Sequence, residues 1–356
     1  MGVQLYDIKI KEITKETEDC VSLTFDIPND LKNEFNFFSG QYLTIENKIN
    51  GENVRRAYSL CSTPDEGIHK VAIKKIKDGV FSSYANDILK KGDLLRVMKP
   101  MGNFILNTDI NNSNNYIFYA AGSGITPILS MIKSVLLNEP KSSATLFYGN
   151  KGFSSIIFRE ELESLKNKYL EQFRMVHVFS KENIGNTIQQ GRINREKNDA
   201  FLKTFLKNED IDGVYLCGPE SMIKEVSESF KNHGVNKEKI HFELFTSSSS
   251  QKKSTNKSTK QKSFDSLVTI QIDGDSFDLE MKSDGDNILD LAQKNGADLP
   301  FACKGGVCCT CKAKVLKGKV SMEVNYALDA DEVEDGYVLT CQSHPQTKEV
   351  LISFDD

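Results

Sequence analysis

Four cysteines near the carboxyl end of this 356-residue chain have the types and spacing that could hold iron. They are Cys303, Cys308, Cys311 and Cys341. The first three form a C-x4-C-x2-C run, and this pattern with a later fourth cysteine is one in which thiolates bind a [2Fe–2S] cluster. Three sulfurs on one tight loop need a backbone that curls, and Gly305 and Gly306 allow it. We therefore predict these four cysteines as the metal ligands.

Zinc is the alternative metal for such a loop. A zinc site would more naturally pair two C-x2-C knuckles or add histidines, and His344 alone does not complete that pattern. Cys309, inside the run, is predicted not to be a ligand. The sequence favours a group that handles single electrons.

The composition indicates a globular chain with room for two or three domains. No apolar run approaches the roughly 20 residues of a membrane helix, so we expect no membrane partner. Of the eight cysteines, Cys20, Cys61 and Cys217 lie in apolar, strand-like surroundings where a free thiol packs in the core. Unpaired cysteines predict a cytoplasmic location.

The net charge of −5 is unevenly distributed. Residues 264–356 carry 18 acidic and 8 basic side chains, a net charge of −10, whereas the rest of the chain is basic. An acidic module argues against nucleic acid as a partner and favours contact with a basic protein surface. Ordinary solvation of a small domain is the other explanation.

The hydrophobic patterns divide the chain into four parts. Residues 1–108 contain short alternating runs and one helix at about Ser82–Lys90, which predicts an antiparallel β-barrel. Residues 109–245 alternate strands with helices, including one at Ile156–Lys168, which predicts a parallel α/β domain. Residues 246–263 are polar and predict a flexible linker. Residues 264–356 form the metal-binding module.

The first part resembles the flavin-binding domain of the ferredoxin-NADP reductase superfamily. The resemblance rests on an R-x-Y-S motif at Arg56–Ser59, on G-x-x-S at Gly79–Ser82 and on a closing E-x-F that ends at Phe245. It implies that Arg56 pairs with the FAD diphosphate, that Tyr58 packs on the flavin and that Ser59 is a catalytic residue near flavin N5. The other implied FAD-binding residues are Lys74, Gly79, Ser82 and Phe245. A core role is the alternative for Phe245.

The second part carries the superfamily's G-x-G-x-x-P element, which follows a strand and opens a helix. Gly122 and Gly124 are expected to admit a dinucleotide pyrophosphate, with Thr126 beside them; a plain glycine turn is the alternative. The C-G-P element implies that Cys217, Gly218 and Pro219 lie beside the nicotinamide. Cys217 is then a catalytic-site residue that packs there rather than a nucleophile.

The cofactor choice is predicted from the second nucleotide strand, which ends without an acidic residue for a ribose hydroxyl. Lys151, Arg159 and Lys181 could bind a 2′-phosphate, so NADPH is favoured and NADH stays possible. Each of these side chains could instead be solvated surface.

The resemblance extends over the whole chain and implies a β-grasp (α+β) ferredoxin domain at the carboxyl end. The stretches from Asp298 to Cys308 and from Gly318 to Tyr326 look most like reductase components of phenylacetyl-CoA epoxidases, which are multicomponent di-iron oxygenases. The implied function is electron transfer from NADPH through FAD and the [2Fe–2S] cluster to an oxygenase component. The alternatives are a reductase for another acceptor, such as a steroid hydroxylase or a hybrid-cluster protein, and a non-enzymatic redox sensor.

Overall fold

The computed structural model describes residues 4–207, 209–245 and 263–355. Its strands form three large sheets in succession along the chain, and a two-stranded ladder accompanies the third. The predicted linker, residues 246–263, lies outside the described residues apart from Ser263. None of the helices in the described part of the chain is long and apolar enough to cross a bilayer.

Six antiparallel strands form the first sheet. They are β1 (Tyr6–Thr17), β2 (Cys20–Asp26), β3 (Tyr42–Ile49), β4 (Glu52–Ser59), β5 (His69–Lys74) and β6 (Leu94–Val97). Their order is β4-β3-β6-β1-β2-β5, and a bridge between Leu60 and Val71 closes the sheet into the predicted barrel. Helix α1 (Val80–Asp87) buries Phe81 against the barrel core; it begins before the predicted Ser82 and ends before Lys90.

Five parallel strands form the second sheet. They are β7 (Asn115–Ala121), β8 (Ser143–Asn150), β9 (Phe173–Phe179), β10 (Gly213–Gly218) and β11 (Ile240–Leu244). Four helices pack on it: α2 (Ile125–Asn138), α3 (Arg159–Lys168), α4 (Arg195–Thr204) and α5 (Glu220–Asn232). The order β11-β10-β7-β8-β9 reverses direction between β7 and β10. The loops after these two strands therefore diverge and open a crevice, where sheets of this class bind nucleotides.

The helix predicted at Ile156–Lys168 is shorter than expected. Helix α3 begins at Arg159, because Phe158 before it has a left-handed backbone with φ of 59°. A helix cannot pass through that conformation. The prediction was wrong for this first turn.

The third domain is a mixed sheet with two short helices. Its elements are β12 (Asp265–Ile272), β13 (Asp275–Lys282), α6 (Ile288–Lys294), β14 (Lys312–Lys317), β15 (Val320–Met322), α7 (Ala330–Glu334), β16 (Tyr337–Leu339), β17 (Ser343–Pro345) and β18 (Glu349–Ser353). The sheet order is β13-β12-β18-β14-β16, and β12 and β18 are parallel. The three predicted fold classes are thus confirmed in their predicted order.

Candidate functional site

The predicted metal ligands come together between the loop before β14 and the turn after β16. Cys308, Cys311 and Cys341 are buried and Cys303 is half-buried. Sulfur contacts link Cys303 to Cys308 and to Cys341, and Cys341 to Cys311. Hydrogen bonds from Cys308 and Cys341, together with one of 3.3 Å from the Gly305 N–H, hold the pKa of Cys303 well below its usual range. The thiolate is the form that binds iron.

The donor set of four cysteine sulfurs is the usual one for a [2Fe–2S] cluster. The four sulfurs are linked in one chain of contacts, in the order Cys308, Cys303, Cys341 and Cys311. Cys309 faces elsewhere: its thiol donates to the Ala327 carbonyl at 3.3 Å, and burial raises its pKa to about 12. This geometry supports the four-ligand prediction.

The R-x-Y-S residues lie at the end of β4. Tyr58 packs its ring on Phe81 of α1, with centroids 5.6 Å apart. Arg56 is half-buried, and its Nη1 donates to the Arg55 carbonyl at 2.6 Å. The Ser59 hydroxyl is buried and donates to a carboxylate of β11. Strand β4 thus presents a cation, a ring and a hydroxyl close together along its last four residues.

The G-x-x-S element forms the N-terminal end of helix α1. Ser82 Oγ accepts from the Ile76 N–H at 3.2 Å and donates to the Gly79 carbonyl at 3.3 Å. A Cβ on Gly79 would lie 2.3 Å from Ser82 Oγ, so only glycine fits at this position without displacing the hydroxyl group. Lys74 reaches Asp19 at 3.6 Å, and Phe245 keeps 41% of its surface exposed. The hydroxyl of Ser82 is therefore committed to the turn, which leaves the helix N–H groups after Gly79 for an anion.

The glycine turn after β7 contains one glycine with open space around it and one that packs tightly against β10. Gly122 adopts φ of 55°, and nothing lies within 4 Å of a Cβ placed there. Gly124 differs, because a Cβ would lie 2.2 Å from the Cys217 carbonyl oxygen. Thr126 donates its hydroxyl to the Ser123 carbonyl at 3.1 Å. Gly122 is thus open to a ligand, whereas Gly124 is required by contact between α2 and β10.

The C-G-P element continues that contact. Cys217 is fully buried, and burial raises its thiol pKa well above the ordinary value, so it is no nucleophile at neutral pH. A Cβ on Gly218 would meet Met222 Cε at 2.6 Å. Pro219 precedes the first residue of α5. These residues therefore lie at the carboxyl end of β10 and at the start of α5, on one side of the crevice between β7 and β10.

The cations predicted to bind a 2′-phosphate meet at the carboxyl ends of β8 and β9. Lys151 and Lys181 are exposed neighbours joined by a backbone hydrogen bond of 2.9 Å, and the Arg159 guanidinium lies 4.5 Å from the Phe153 ring centroid. The same edge also carries Glu182, whose carboxylate accepts from the Phe153 N–H at 2.7 Å. The sequence prediction overlooked this acidic residue because it belongs to the neighbouring strand's loop.

A half-buried glutamate, Glu243, joins the flavin and nicotinamide segments. It accepts from Ser59 Oγ at 3.2 Å and pairs with Cys217 in the β10–β11 register. Burial raises the pKa of Glu243 to about 8, although the Ser59 hydrogen bond lowers it somewhat. The carboxyl is therefore largely neutral at pH 7 and can hold or give a proton. The sequence showed it only as the first residue of E-x-F.

We expect Glu243 to make the fold less stable at alkaline pH. The folded pKa of about 8 exceeds the ordinary value for glutamate, so between the two the folded state binds more protons and stability falls as pH rises. Glu243→Gln should match the wild type near pH 4 but exceed its free energy of unfolding by a few kcal/mol above pH 8. Urea unfolding at both pH values measures this difference. Exposed Glu238→Gln is the control, and an equal pH response of both variants would contradict the assignment.

The metal-binding loop packs directly on the barrel. A small apolar cluster spans the two domains and contains Tyr42, Ala57, Met101, Ala302, Cys303 and Cys308. Tyr42 is buried and its hydroxyl lies 3.0 Å from Thr310 Oγ1. Asn103 donates to Glu332 at 3.1 Å. Two cysteine ligands and the residue before Tyr58 thus belong to a single packed cluster.

The metal-binding domain also contacts the parallel sheet domain. Val307 packs against the core formed by β7, β10 and α5. Tyr326 hydrogen-bonds Glu220, the first residue of α5. The domain therefore lies where the barrel and the nucleotide crevice meet.

Comparison with known proteins finds three domain families along the chain. Three family models match in order: an oxidoreductase FAD-binding domain at residues 7–105, an oxidoreductase NAD-binding domain at 118–228 and a 2Fe-2S iron-sulfur cluster binding domain at 270–346. Over 350 residues the chain is 39% identical to a subunit of 1,2-phenylacetyl-CoA epoxidase from Escherichia coli (strain K12), covering 98% of both chains. The chain belongs to this reductase family. Its membership of the ferredoxin-NADP reductase superfamily is thereby confirmed.

Two further relatives place this family more widely. The ferredoxin reductase component of 3-ketosteroid-9-alpha-monooxygenase from Rhodococcus rhodochrous is 30% identical over 353 residues, covering 98% of this chain and 96% of that protein. The structure of phthalate dioxygenase reductase has the same fold, with a TM-score of 0.59, 22% identity and 98% coverage of both chains. The predicted cofactors FAD, a nicotinamide dinucleotide and [2Fe–2S] are confirmed, and the chain is an NAD(P)H-dependent flavin and iron–sulfur oxidoreductase.

Proposed function

We propose that this protein is the reductase component of a multicomponent oxygenase of the phenylacetyl-CoA epoxidase type. Tyr58 and Ser59 would hold an FAD that supplies two-electron chemistry with NADPH when bound, and the four cysteines would hold a [2Fe–2S] cluster that supplies single-electron chemistry. The observation that supports this most is the packing of the cysteine loop on the barrel, in the cluster that contains Ala57 and Cys308. It gives electrons a short path between two domains of one chain.

We assign the FAD site to residues of the barrel and the end of the second domain. Arg56 would bind the diphosphate, Tyr58 would pack on the ring system and Ser59, backed by Glu243, would act at the reacting edge. The remaining proposed FAD residues are Lys74, Gly79, Ser82 and Phe245. Of these, Ser82 acts by shaping the turn at Gly79, since its hydroxyl is already bonded within it.

We assign the nicotinamide dinucleotide to the crevice between β7 and β10. The proposed residues are Gly122, Gly124, Thr126, Lys151, Cys217, Gly218 and Pro219. The proposed cluster ligands are Cys303, Cys308, Cys311 and Cys341. These assignments fit domain boundaries at 1–108, 109–245 and 264–356, with 246–263 as the linker, because each matched family model lies within one range.

The proposed electron acceptor is the di-iron component of a phenylacetyl-CoA epoxidase. Support comes from the 39% identity to a subunit of such an enzyme and from the net charge of −10 on residues 264–356, which suits a basic docking surface. The 30% identity to a ketosteroid monooxygenase reductase supports a steroid hydroxylase as the second candidate. A hybrid-cluster protein or a sensor role has no comparable support.

Reconstitution tests the acceptor. The holoprotein is mixed with purified epoxidase components, NADPH and phenylacetyl-CoA, and the oxygenated thioester is measured; a parallel mixture contains a ketosteroid hydroxylase oxygenase and its steroid. We expect product only in the first, and its rate should fall with salt because screening weakens charged docking. Product only in the second would replace the acceptor. Product in neither, with reduced cofactors, would exclude both.

We predict that Lys151 contributes to the choice of NADPH over NADH. Lys151→Ala should raise the KM for NADPH about tenfold, the value of one charge-assisted phosphate contact, and leave the KM for NADH nearly unchanged. Steady-state reduction of ferricyanide measures both constants. Lys141→Ala, an exposed charge beside the opposite end of β8, is the matched control. An equal effect on the KM of both nucleotides would exclude Lys151 from the phosphate site. Glu182 would then be the residue at this edge of the sheet that decides the nucleotide.

We also infer a cytoplasmic location. All eight cysteines are free in the structure, as is usual for proteins of a reducing compartment.

A further inference from the structure

Arg55, the neighbour of the proposed FAD-binding arginine, has surroundings that no motif predicted. Its side chain is 4% exposed, and Nε donates to the carboxylate of Glu46, which is 1% exposed. Glu46 faces Arg55 in the β3–β4 register and faces Arg96 in the β3–β6 register, and both arginines bond it. Strand pairing in the barrel therefore places Arg55 beside Glu46, and a buried ion pair holds the Nε end of the guanidinium.

The other nitrogens of Arg55 reach the iron–sulfur domain. Nη2 donates to Asp298 Oδ1 at 2.9 Å, and Nη1 donates to the Leu299 carbonyl at 3.3 Å. The guanidinium carbon also lies 4.7 Å from the ring centroid of Phe301. All three nitrogens of the group are thus used, one within the barrel and two across the domain boundary.

We propose that Arg55 is a positioning residue that seats the [2Fe–2S] domain on the barrel for electron transfer between them. The segment it holds, residues 298–301, leads directly into Cys303. The Tyr42–Thr310 contact and the apolar cluster around Ala57 lie on the same domain boundary. Electron transfer slows steeply as the distance between donor and acceptor grows. A contact that holds the cysteine loop in place therefore determines the rate of electron transfer to the cluster. The inference rests on the proposed function of flavin donor and cluster acceptor.

The chemistry of the contact explains why arginine stands here. A planar guanidinium can bond two carboxylates and a carbonyl in fixed directions while stacking on a ring, whereas a lysine ammonium offers no such fork. Asp298 is 49% exposed, so solvent can compete for its end of the pair. The Arg55–Glu46 contact within the barrel is buried, whereas the Arg55–Asp298 contact between the domains is open to solvent and can be broken. This suits a domain that must also meet an external acceptor.

Replacement of Asp298 distinguishes the two roles that Arg55 could have, which are to seat the iron–sulfur domain and to neutralise the charge of Glu46. Asp298→Ala leaves the buried Arg55–Glu46–Arg96 group intact and removes the carboxylate contact between the domains, while Arg55 keeps its contacts with the Leu299 carbonyl and the Phe301 ring. Asp286→Ala is the matched control, because it removes an acidic side chain of the same domain that pairs internally with Lys294 at 2.6 Å. Arg55→Lys keeps the charge beside Glu46 and loses the fork.

The experiment mixes full-length holoprotein anaerobically with NADPH and follows flavin and cluster absorbance separately. Asp298→Ala should slow cluster reduction about fivefold, the factor expected for one solvent-accessible ion pair, with flavin reduction unchanged. Arg55→Lys should also slow it. The double variant should be no slower than the slower single variant, because the Arg55–Asp298 contact is already lost in each of them. Asp286→Ala should behave as wild type.

Hydrogen exchange supplies a readout that does not depend on turnover. Peptides covering residues 299–303 and Tyr42 should lose protection in Asp298→Ala and keep it in Asp286→Ala. Wild-type rates and protection in Asp298→Ala would overturn the proposal, as would equal slowing in the control. If Arg55→Lys fails to fold, Asp298→Ala and Asp298→Asn still decide. A wild-type cluster that NADPH cannot reduce would refute the proposed function instead.

Discussion

Replacing any one of the four cluster cysteines with serine is expected to abolish iron binding and the visible cluster spectrum. The four are Cys303, Cys308, Cys311 and Cys341. A serine hydroxyl stays protonated at neutral pH, whereas a cysteine thiol can lose its proton and become the thiolate that binds iron. Iron content and absorbance of the purified variants measure the effect. Flavin content should persist, since the barrel has its own core.

Cys309→Ser is the matched control for this series. It makes the same change inside the same loop, and serine can keep the hydrogen bond to the Ala327 carbonyl. We expect wild-type iron content and spectrum. Loss of the cluster in Cys309→Ser, or its retention in Cys308→Ser, would contradict the ligand assignment.

Removing the guanidinium of Arg56 is expected to weaken FAD binding about 10- to 100-fold, as loss of a charge-assisted phosphate contact does. Arg56 is half-buried and keeps part of its donor set free, whereas Arg55 is fully engaged. Arg56→Ala should therefore lose flavin on dilution, which flavin fluorescence in the flow-through of a desalting column measures. Exposed Lys48→Ala, on the neighbouring strand, removes the same charge and should keep its flavin. Equal retention in both would move the diphosphate away from Arg56.

Local patterns were enough to predict the fold classes and the cysteine loop. Spacing alone selected Cys303, Cys308 and Cys311, because such a loop works only when its ligands are close in sequence. The glycine turn at Gly122 could be predicted for the same reason. The β11 strand and helix α4 were not predicted: β11 lies at a sheet edge with His241 and Phe242 exposed, so its burial does not alternate.

Features that depend on distant segments could not be predicted from the sequence. Gly124 is fixed by the carbonyl of Cys217, and the pKa of Glu243 is raised only when the folded chain buries its carboxyl group, a rise that the hydrogen bond from Ser59 of the barrel partly offsets. Arg55 and Arg56 are chemically identical in the sequence. Only the pairing of Arg55 with Glu46 and Asp298 distinguishes an arginine that joins domains from one open to a ligand.

The order of electron flow is tested most directly by one anaerobic single-turnover experiment. Holoprotein at several concentrations is mixed with NADPH, flavin is followed by absorbance and the reduced cluster by electron paramagnetic resonance of frozen samples. The packing of Ala57 and Cys308 in one cluster predicts that flavin is reduced first and that cluster reduction follows at a rate independent of protein concentration, because both lie in one chain. A cluster that stays oxidised beside reduced flavin, or a rate that rises in proportion to protein concentration, would contradict the account.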